Sequence, residues 1–186
     1  MRAFLDFEAS SLGKDSYPIE VAWVFEDGRS ETHLIRPAPA WTDWDERAAA
    51  IHGILRADLE IHGTAAEVVA ARLLAELGGH PVYASSPSWD GKWLSVLLRA
   101  GGLPRHALRL LDTDRVQWEA ATEGLRPTVP PDAIETLANG VIRQVQEAAA
   151  NWPIAHRALA DAEHERQLWL EIRAAAKGAA NRYSSR

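Results

Sequence analysis

The sequence predicts a single α/β domain: a mixed five-stranded sheet, its first three strands antiparallel, with helices on its faces. Three observations lead there. Three short apolar segments follow one another near the N-terminus, separated only by turn residues. Strand and helix patterns then alternate, which calls for crossover connections. The last third reads as helix, broken only by prolines. A chain of 186 residues suits one good-sized core. Residues 1–176 are expected to form the domain and residues 177–186 a polar tail, with no repeat, low-complexity stretch or linker.

The first strand covers residues 3–9, and Gly13, Asp15 and Ser16 form a turn region. Residues 19–25 (IEVAWVF) make the second strand, and Glu26-Asp27-Gly28 is a hairpin signal. Residues 31–36 (ETHLIR) return as the third strand, stopped by Pro37 and Pro39. A short helix follows over 43–50. Thr64 is placed to cap AAEVVAARLLAEL, which Gly78-Gly79 ends. Residues 81–85 form the fourth strand, 88–99 a helix ending at Gly101-Gly102, and 107–111 the fifth strand. A short helix is expected at 114–122, and a long one from Pro130-Pro131-Asp132 to about residue 150. Pro153 interrupts, a last helix spans 157–176, and the tail KGAANRYSSR is expected to fray. Trp23, Trp93 and Trp169 sit in apolar patterns and belong to the core.

Composition excludes some chemistry. Without cysteine there is no disulfide, thiolate metal site or thiol nucleophile, which fits a reducing, cytoplasmic setting. The N-terminus shows no basic segment followed by an apolar one, and no apolar run reaches membrane-spanning length. A net charge of −6 argues against coating nucleic acid through bulk charge. An acidic site that loads cations remains compatible with a nucleic-acid substrate.

The informative stretch is the first strand. Alternation puts Asp6 and Glu8 on one face with Phe4, while Leu5 and Phe7 share the other. A strand apolar on both sides belongs inside a sheet, where two unpaired carboxylates are costly. A solvated acidic face is the plainer alternative. Asp90 stands at the start of the helix after strand four, and Asp161 near the start of the last helix. Four carboxylates so placed could hold two divalent ions, Mg²⁺ or Mn²⁺, the machinery of phosphodiester cleavage. His156 precedes Asp161 by five residues, a spacing that puts the two on different helix faces. His156 is therefore expected before the helix, where an imidazole could serve as base. Taken singly, Asp90 and Asp161 read equally as first-turn acids, and His156 as a surface histidine.

Together, Asp6-x-Glu8, Asp90 and His156-x-x-x-x-Asp161 resemble the DEDD superfamily of 3′–5′ exonucleases in its histidine variant, DEDDh. This is the group of ribonuclease T and the proofreading subunit of bacterial DNA polymerase III. HRALADA is close to the third motif of that family, and Ile51-His52-Gly53-Ile54 is similar to a further segment. The resemblance covers residues 1 to about 170. It implies a ribonuclease H-like fold and removal of nucleotides from the 3′ end of single-stranded DNA or RNA. It further implies that Asp6 bridges two cations, that Glu8 and Asp161 hold the one binding the attacking water, and that Asp90 helps anchor the second. His156 would be the general base. Leu12 and Ile54 would meet the terminal base, and backbone near His52 the 3′-hydroxyl. Some relatives are homodimers, but no interface can be read here. Ser86 and Ser11 depart from the usual Asn and Gly of the family, which touches substrate contacts and not the metal positions.

Two other classes fit the same acids: a two-metal nucleotide phosphohydrolase, and a non-catalytic nucleic-acid-binding module on the same fold. Trp89 would either stack on a base or pack beneath the site. Lys92, Arg99 and Arg157 would either meet phosphates or decorate helix surfaces.

Overall fold

A computed structural model describes residues 1–153 and 155–185. Ile154 and Arg186, the last residue of the expected tail, lie outside the described residues. The first three strands form the expected meander: β1 (Ala3–Ala9), β2 (Pro18–Phe25) and β3 (Ser30–Arg36). β1 pairs antiparallel with β2, and β2 with β3. Two short helices follow, α1 (Glu46–His52) and α2 (Arg56–His62), then a two-residue strand β4 (Thr64–Ala65) and α3 (Ala66–Leu77). β5 (Val82–Ala84), α4 (Pro87–Ala100) and β6 (Leu110–Asp112) alternate as expected. Helices α5 (Thr113–Leu125), α6 (Pro131–Ala149) and α7 (Ala158–Ser184) complete the chain. The sheet order is β4-β3-β2-β1-β5-β6, and β5 runs parallel to β1.

The sheet is therefore mixed and flanked by helices, with six strands where five were expected. The sixth, β4, aligns Thr64 with Ile35 along the end of β3. Thr64 is thus a strand residue and not the cap of α3, whose N-terminus has no side-chain cap. The strand expected at 107–111 forms over Leu110–Asp112. α7 passes through the segment expected to fray and ends at Ser184.

Alternation along β1 divides the core. Ala3, Leu5, Phe7 and Ala9 pack under α3 and α4, with Trp23, Leu73, Trp93 and Leu97. Phe4 faces the other way, into a layer made by α5, α6 and α7 that contains Trp169 and Ile172. Phe4 and Trp169 meet with ring centroids 5.8 Å apart, which fixes α7 across β1. Trp23, Trp93 and Trp169 are all buried, as their apolar context predicts. Asp6 and Glu8 share the Phe4 face, so both acids point towards α7.

Gly124 lets α5 approach α7 closely: a Cβ there would lie 2.7 Å from Cβ of Ala176. Helix propensity alone favours a larger residue by under about 1 kcal/mol, but overpacking costs about 1–3 kcal/mol. Gly124→Val is therefore expected to lower the urea midpoint. An unchanged midpoint would show that the two helices can part at no cost.

Candidate active site

Asp6, Glu8 and Asp161 converge. One carboxylate oxygen from each lies within 4.8 Å of the others, and all three side chains are partly buried. β1 supplies two of them from one face, and the first turn of α7 supplies the third. Asp161 is aimed by the stripe that packs α7 down: residues 161, 165, 168 and 172 recur at helical spacing, and Leu168 and Ile172 are buried in the α5–α7 layer.

The electrostatics match the crowding. Burial, then the charges of Asp90, Glu8, Asp161 and Glu165, push the Asp6 carboxyl up to about 9. Glu8 is raised to about 7 by burial and by Asp161 and Glu20, while Arg157 opposes the shift. Asp161 is raised by burial and held back by His156 and His164. Like charges are gathered where water cannot fully solvate them, and that arrangement suits a hard divalent cation with oxygen ligands.

Asp90 is not one of the three convergent groups, although its charge acts on Asp6. It is buried at the start of α4, and burial raises its carboxyl to about 7. Its Oδ2 accepts a bond from the Ser86 N–H at 3.3 Å, and the Phe7 N–H also bears on it. Ser86, the departure noted in the sequence, thus contributes its backbone to holding Asp90. His156 lies in the exposed segment before α7, as the spacing predicts, with a left-handed backbone at φ 49°. It is close enough for its charge to act on Asp161.

Beside Glu8 opens a cleft of about 430 Å³, lined by Phe7, Leu12, Ile51, His52 and Trp93 among others. Leu12 is 70 % exposed there. Ile54 is not on this wall: it is 4 % exposed and packs with Tyr17, Ile19 and Leu59. The cause is Gly53, whose φ of 69° ends α1 and turns the chain inward. The exposed apolar side chain of this segment is Ile51, at 59 %. His52 is buried; its Nδ1 accepts the Ile54 N–H at 3.0 Å. That bond leaves the proton on Nε2, which has no partner among the described residues. Burial lowers the pKa of His52, with Glu20 opposing, which favours the neutral ring.

The cations near the motifs are largely engaged by the protein itself. Lys92 Nζ donates to the Gly13 carbonyl and to Ser16 Oγ, tying down the loop after β1. Arg99 Nε donates to the carbonyl of Ser95 on its own helix. Arg157 pairs with Glu20. Ser11 Oγ donates to Asp43 and accepts the Gly13 N–H at 2.9 Å, so the loop is braced by hydroxyls where a glycine would leave it free. Trp89 is 39 % exposed and stacks on Trp93, centroids 5.7 Å apart.

Three residues of this neighbourhood were not singled out by sequence. Glu20 is buried across the sheet from Glu8. Glu165 lies one turn beyond Asp161, and its charge helps to raise the Asp6 carboxyl. Ile51 lines the cleft. Glu165 carried a signal in its i, i+4 spacing from Asp161 on a predicted helix, and Ile51 in the Ile51-His52-Gly53-Ile54 segment, whereas Glu20 carried none.

The mixed sheet flanked by helices, with acids from β1 and α7 gathered on one face, is a fold shared with solved exonuclease structures. The structure of E. coli exonuclease I in complex with a dA16 oligonucleotide matches with a TM-score of 0.66 at 16% identity, covering 98% of this chain and 42% of that one. The zinc-bound E. coli exonuclease I–single-stranded DNA complex gives 0.65 at 17% identity with the same coverage. An exonuclease I from Methylocaldum szegediense gives 0.63 at 16%, covering 92% and 39%. The chain thus spans about two fifths of the length of these proteins, and the likeness defines its fold. No protein-family model and no curated protein matches the sequence.

Proposed function

We propose that the protein is a metal-dependent 3′–5′ exonuclease acting on the ends of single-stranded nucleic acid. One observation carries this reading: Asp6, Glu8 and Asp161 are brought within 4.8 Å of one another beside an apolar cleft. The fold shared with exonucleases solved on single-stranded oligonucleotides supports it.

In this reading Asp6, Glu8 and Asp161 hold divalent cations, with Asp90 anchoring from the α4 side. When bound, such cations polarise a phosphodiester and lower the pKa of water. His156 takes the proton from the attacking water. The new bond forms between that oxygen and the phosphorus of the last linkage. The bond from phosphorus to the penultimate O3′ breaks, and a proton passes to that oxygen. The products are a nucleoside 5′-monophosphate and a chain one unit shorter with a free 3′-hydroxyl. Leu12, with Ile51 in the place expected of Ile54, supplies apolar surface for the terminal base, and the neutral His52 lies on the same wall.

The test uses 5′-labelled single-stranded DNA and RNA oligomers with Mg²⁺, Mn²⁺ or EDTA. A ladder shortening from the 3′ end, abolished by EDTA, is the expected result. Intact oligomers with every ion would overturn the reading, and phosphate released from mononucleotides would point to the phosphohydrolase class. Leu12→Ala is expected to raise KM about tenfold, because the terminal base would then have less apolar surface to bury. Its stability should be unchanged, because the side chain is mostly in water. Steady-state kinetics beside a melting curve checks both.

A further inference from the structure

We propose that Glu20 is a positioning residue: with Arg157 and Ala158 it clamps the start of α7 to β2 and so sets His156 and Asp161 over Asp6 and Glu8. The inference rests on the exonuclease reading for its consequence in catalysis, but the clamp itself is geometric.

Glu20 is 2 % exposed, and a buried carboxylate is costly unless donors meet it. Three do. Arg157 Nε donates to Oε2 at 3.0 Å, Arg157 NH2 donates to Oε1, and the Ala158 N–H donates to Oε2 at 3.0 Å. All three come from the start of α7, far along the chain. A helix begins with N–H groups that have no partner inside it. α7 receives no cap from the side chain of its own N-cap residue, Arg157. Glu20 supplies that cap from the sheet, and its negative charge suits the positive end of the helix dipole.

The clamp sits beside the acids. Strand register pairs Glu20 directly with Glu8, so both carboxylates stand on the face that meets α7. Like charges opposite one another repel, and the guanidinium of Arg157 is held on one of the two. On the helix side the clamp lies within a turn of both proposed catalytic groups. His156 immediately precedes it in a left-handed conformation that a non-glycine residue holds only when its surroundings insist. The Asp161 N–H donates to the carbonyl of Arg157 at 3.0 Å. Residues 157 and 158 are thus the link through which the sheet sets both the φ of His156 and the first turn that carries Asp161.

The clamp is not what keeps α7 folded. Trp169, Ile172, Ala176 and Ala180 bury the helix along its length, and a buried ion pair is weak evidence for stability. Arg157 is half exposed and can turn to water once released. Glu20→Gln, which keeps the shape and removes the charge, therefore separates positioning from folding. Arg157→Lys keeps the charge and removes the two-pronged geometry.

The experiment compares the full chain with Glu20→Gln and Arg157→Lys in two ways. Amide hydrogen exchange in EDTA reads the clamp without any turnover. The Ala158 and Asp161 amides are expected to exchange roughly tenfold faster or more in both variants, while those at 168–176 keep their rates. Kinetics on a single-stranded oligomer with Mg²⁺ reads the consequence. kcat is expected to fall roughly 10–100-fold, the usual loss when a residue supporting metal ligands is removed, with KM within about twofold. Unchanged exchange at Ala158 and Asp161 would overturn the clamp. So would faster exchange along all of α7 with a lower Tm, which would mark a purely structural pair. Faster local exchange with an unchanged kcat would overturn the positioning role. A wild-type chain that cuts no oligomer would overturn the exonuclease reading and leave the exchange data to decide the clamp.

Discussion

Replacing Asp6 by Asn is expected to cost hydrolysis about 10³-fold or more and, in EDTA at pH 8, to raise the melting temperature. The first effect follows from the proposed role. Losing a shared cation ligand removes several kcal/mol of charge stabilisation, and each 1.36 kcal/mol is about tenfold in rate. The second follows from crowding. In the unfolded chain Asp6 ionises near the ordinary value of 3.8, whereas burial and then Asp90, Glu8, Asp161 and Glu165 push it up to about 9 in the fold. Between those values the unfolded state has shed a proton that the folded state keeps. Stability without metal therefore falls as pH rises from about 4 to 9, and is fullest below the lower value. Glu8 and Asp90, each raised to about 7, act in the same direction from about 4 to 7. Asn is neutral without taking up a proton on folding, so a gain of about 1 kcal/mol would show as roughly 2–4 °C at pH 8. The two proteins should converge below pH 4. Mg²⁺ should stabilise the wild type more at pH 8 than at pH 5, because binding displaces protons. Melting curves from pH 4 to 9 in EDTA check the set, and a lower Tm for Asp6→Asn at pH 8 would contradict it.

His156→Ala is expected to lower kcat by about 10²–10⁴, the range for removing a general base, with Mg²⁺ affinity unchanged. The geometry separates the two properties. His156 is exposed in the segment before α7 and near enough to Asp161 to act on its charge, but it is not among the three groups whose oxygens converge. Its loss leaves the carboxylates in place and removes a proton acceptor. Mn²⁺ titration by calorimetry beside single-turnover rates distinguishes the alternatives. A matching loss of metal affinity would make the histidine a ligand, and an unaltered rate would take it out of the chemistry.

What can be read in the sequence depends on the range of the signal. β1 is legible because two acids break an apolar alternation within seven residues, and alternation fixes their common face. Asp161 is legible because a helix start next to Pro153 and a local motif locate it. β4 and α2 are not: two residues have no period, and α2 buries only Leu59. The end of α7 reads as a frayed tail because its buried stripe there is Ala176 and Ala180 in a polar sequence, and alanine gives little hydrophobic contrast. Ile51 lines the cleft and Ile54 is buried because a positive φ at Gly53 reverses the chain and breaks helical phase. Glu20 is hidden within IEVAWVF, a segment that reads as apolar on both faces. Its partner Arg157 lies 137 residues away, and no local pattern links them. Contacts of that separation belong to the fold and not to any window of sequence.

Whether Asp6, Glu8 and Asp161 form the metal centre is tested most directly by a crystal structure with Mn²⁺, its ions located by anomalous scattering. An anomalous peak bounded by these three carboxylates is the predicted result. Saturating Mn²⁺ that leaves this position empty, with the three carboxylates still gathered there, would contradict it.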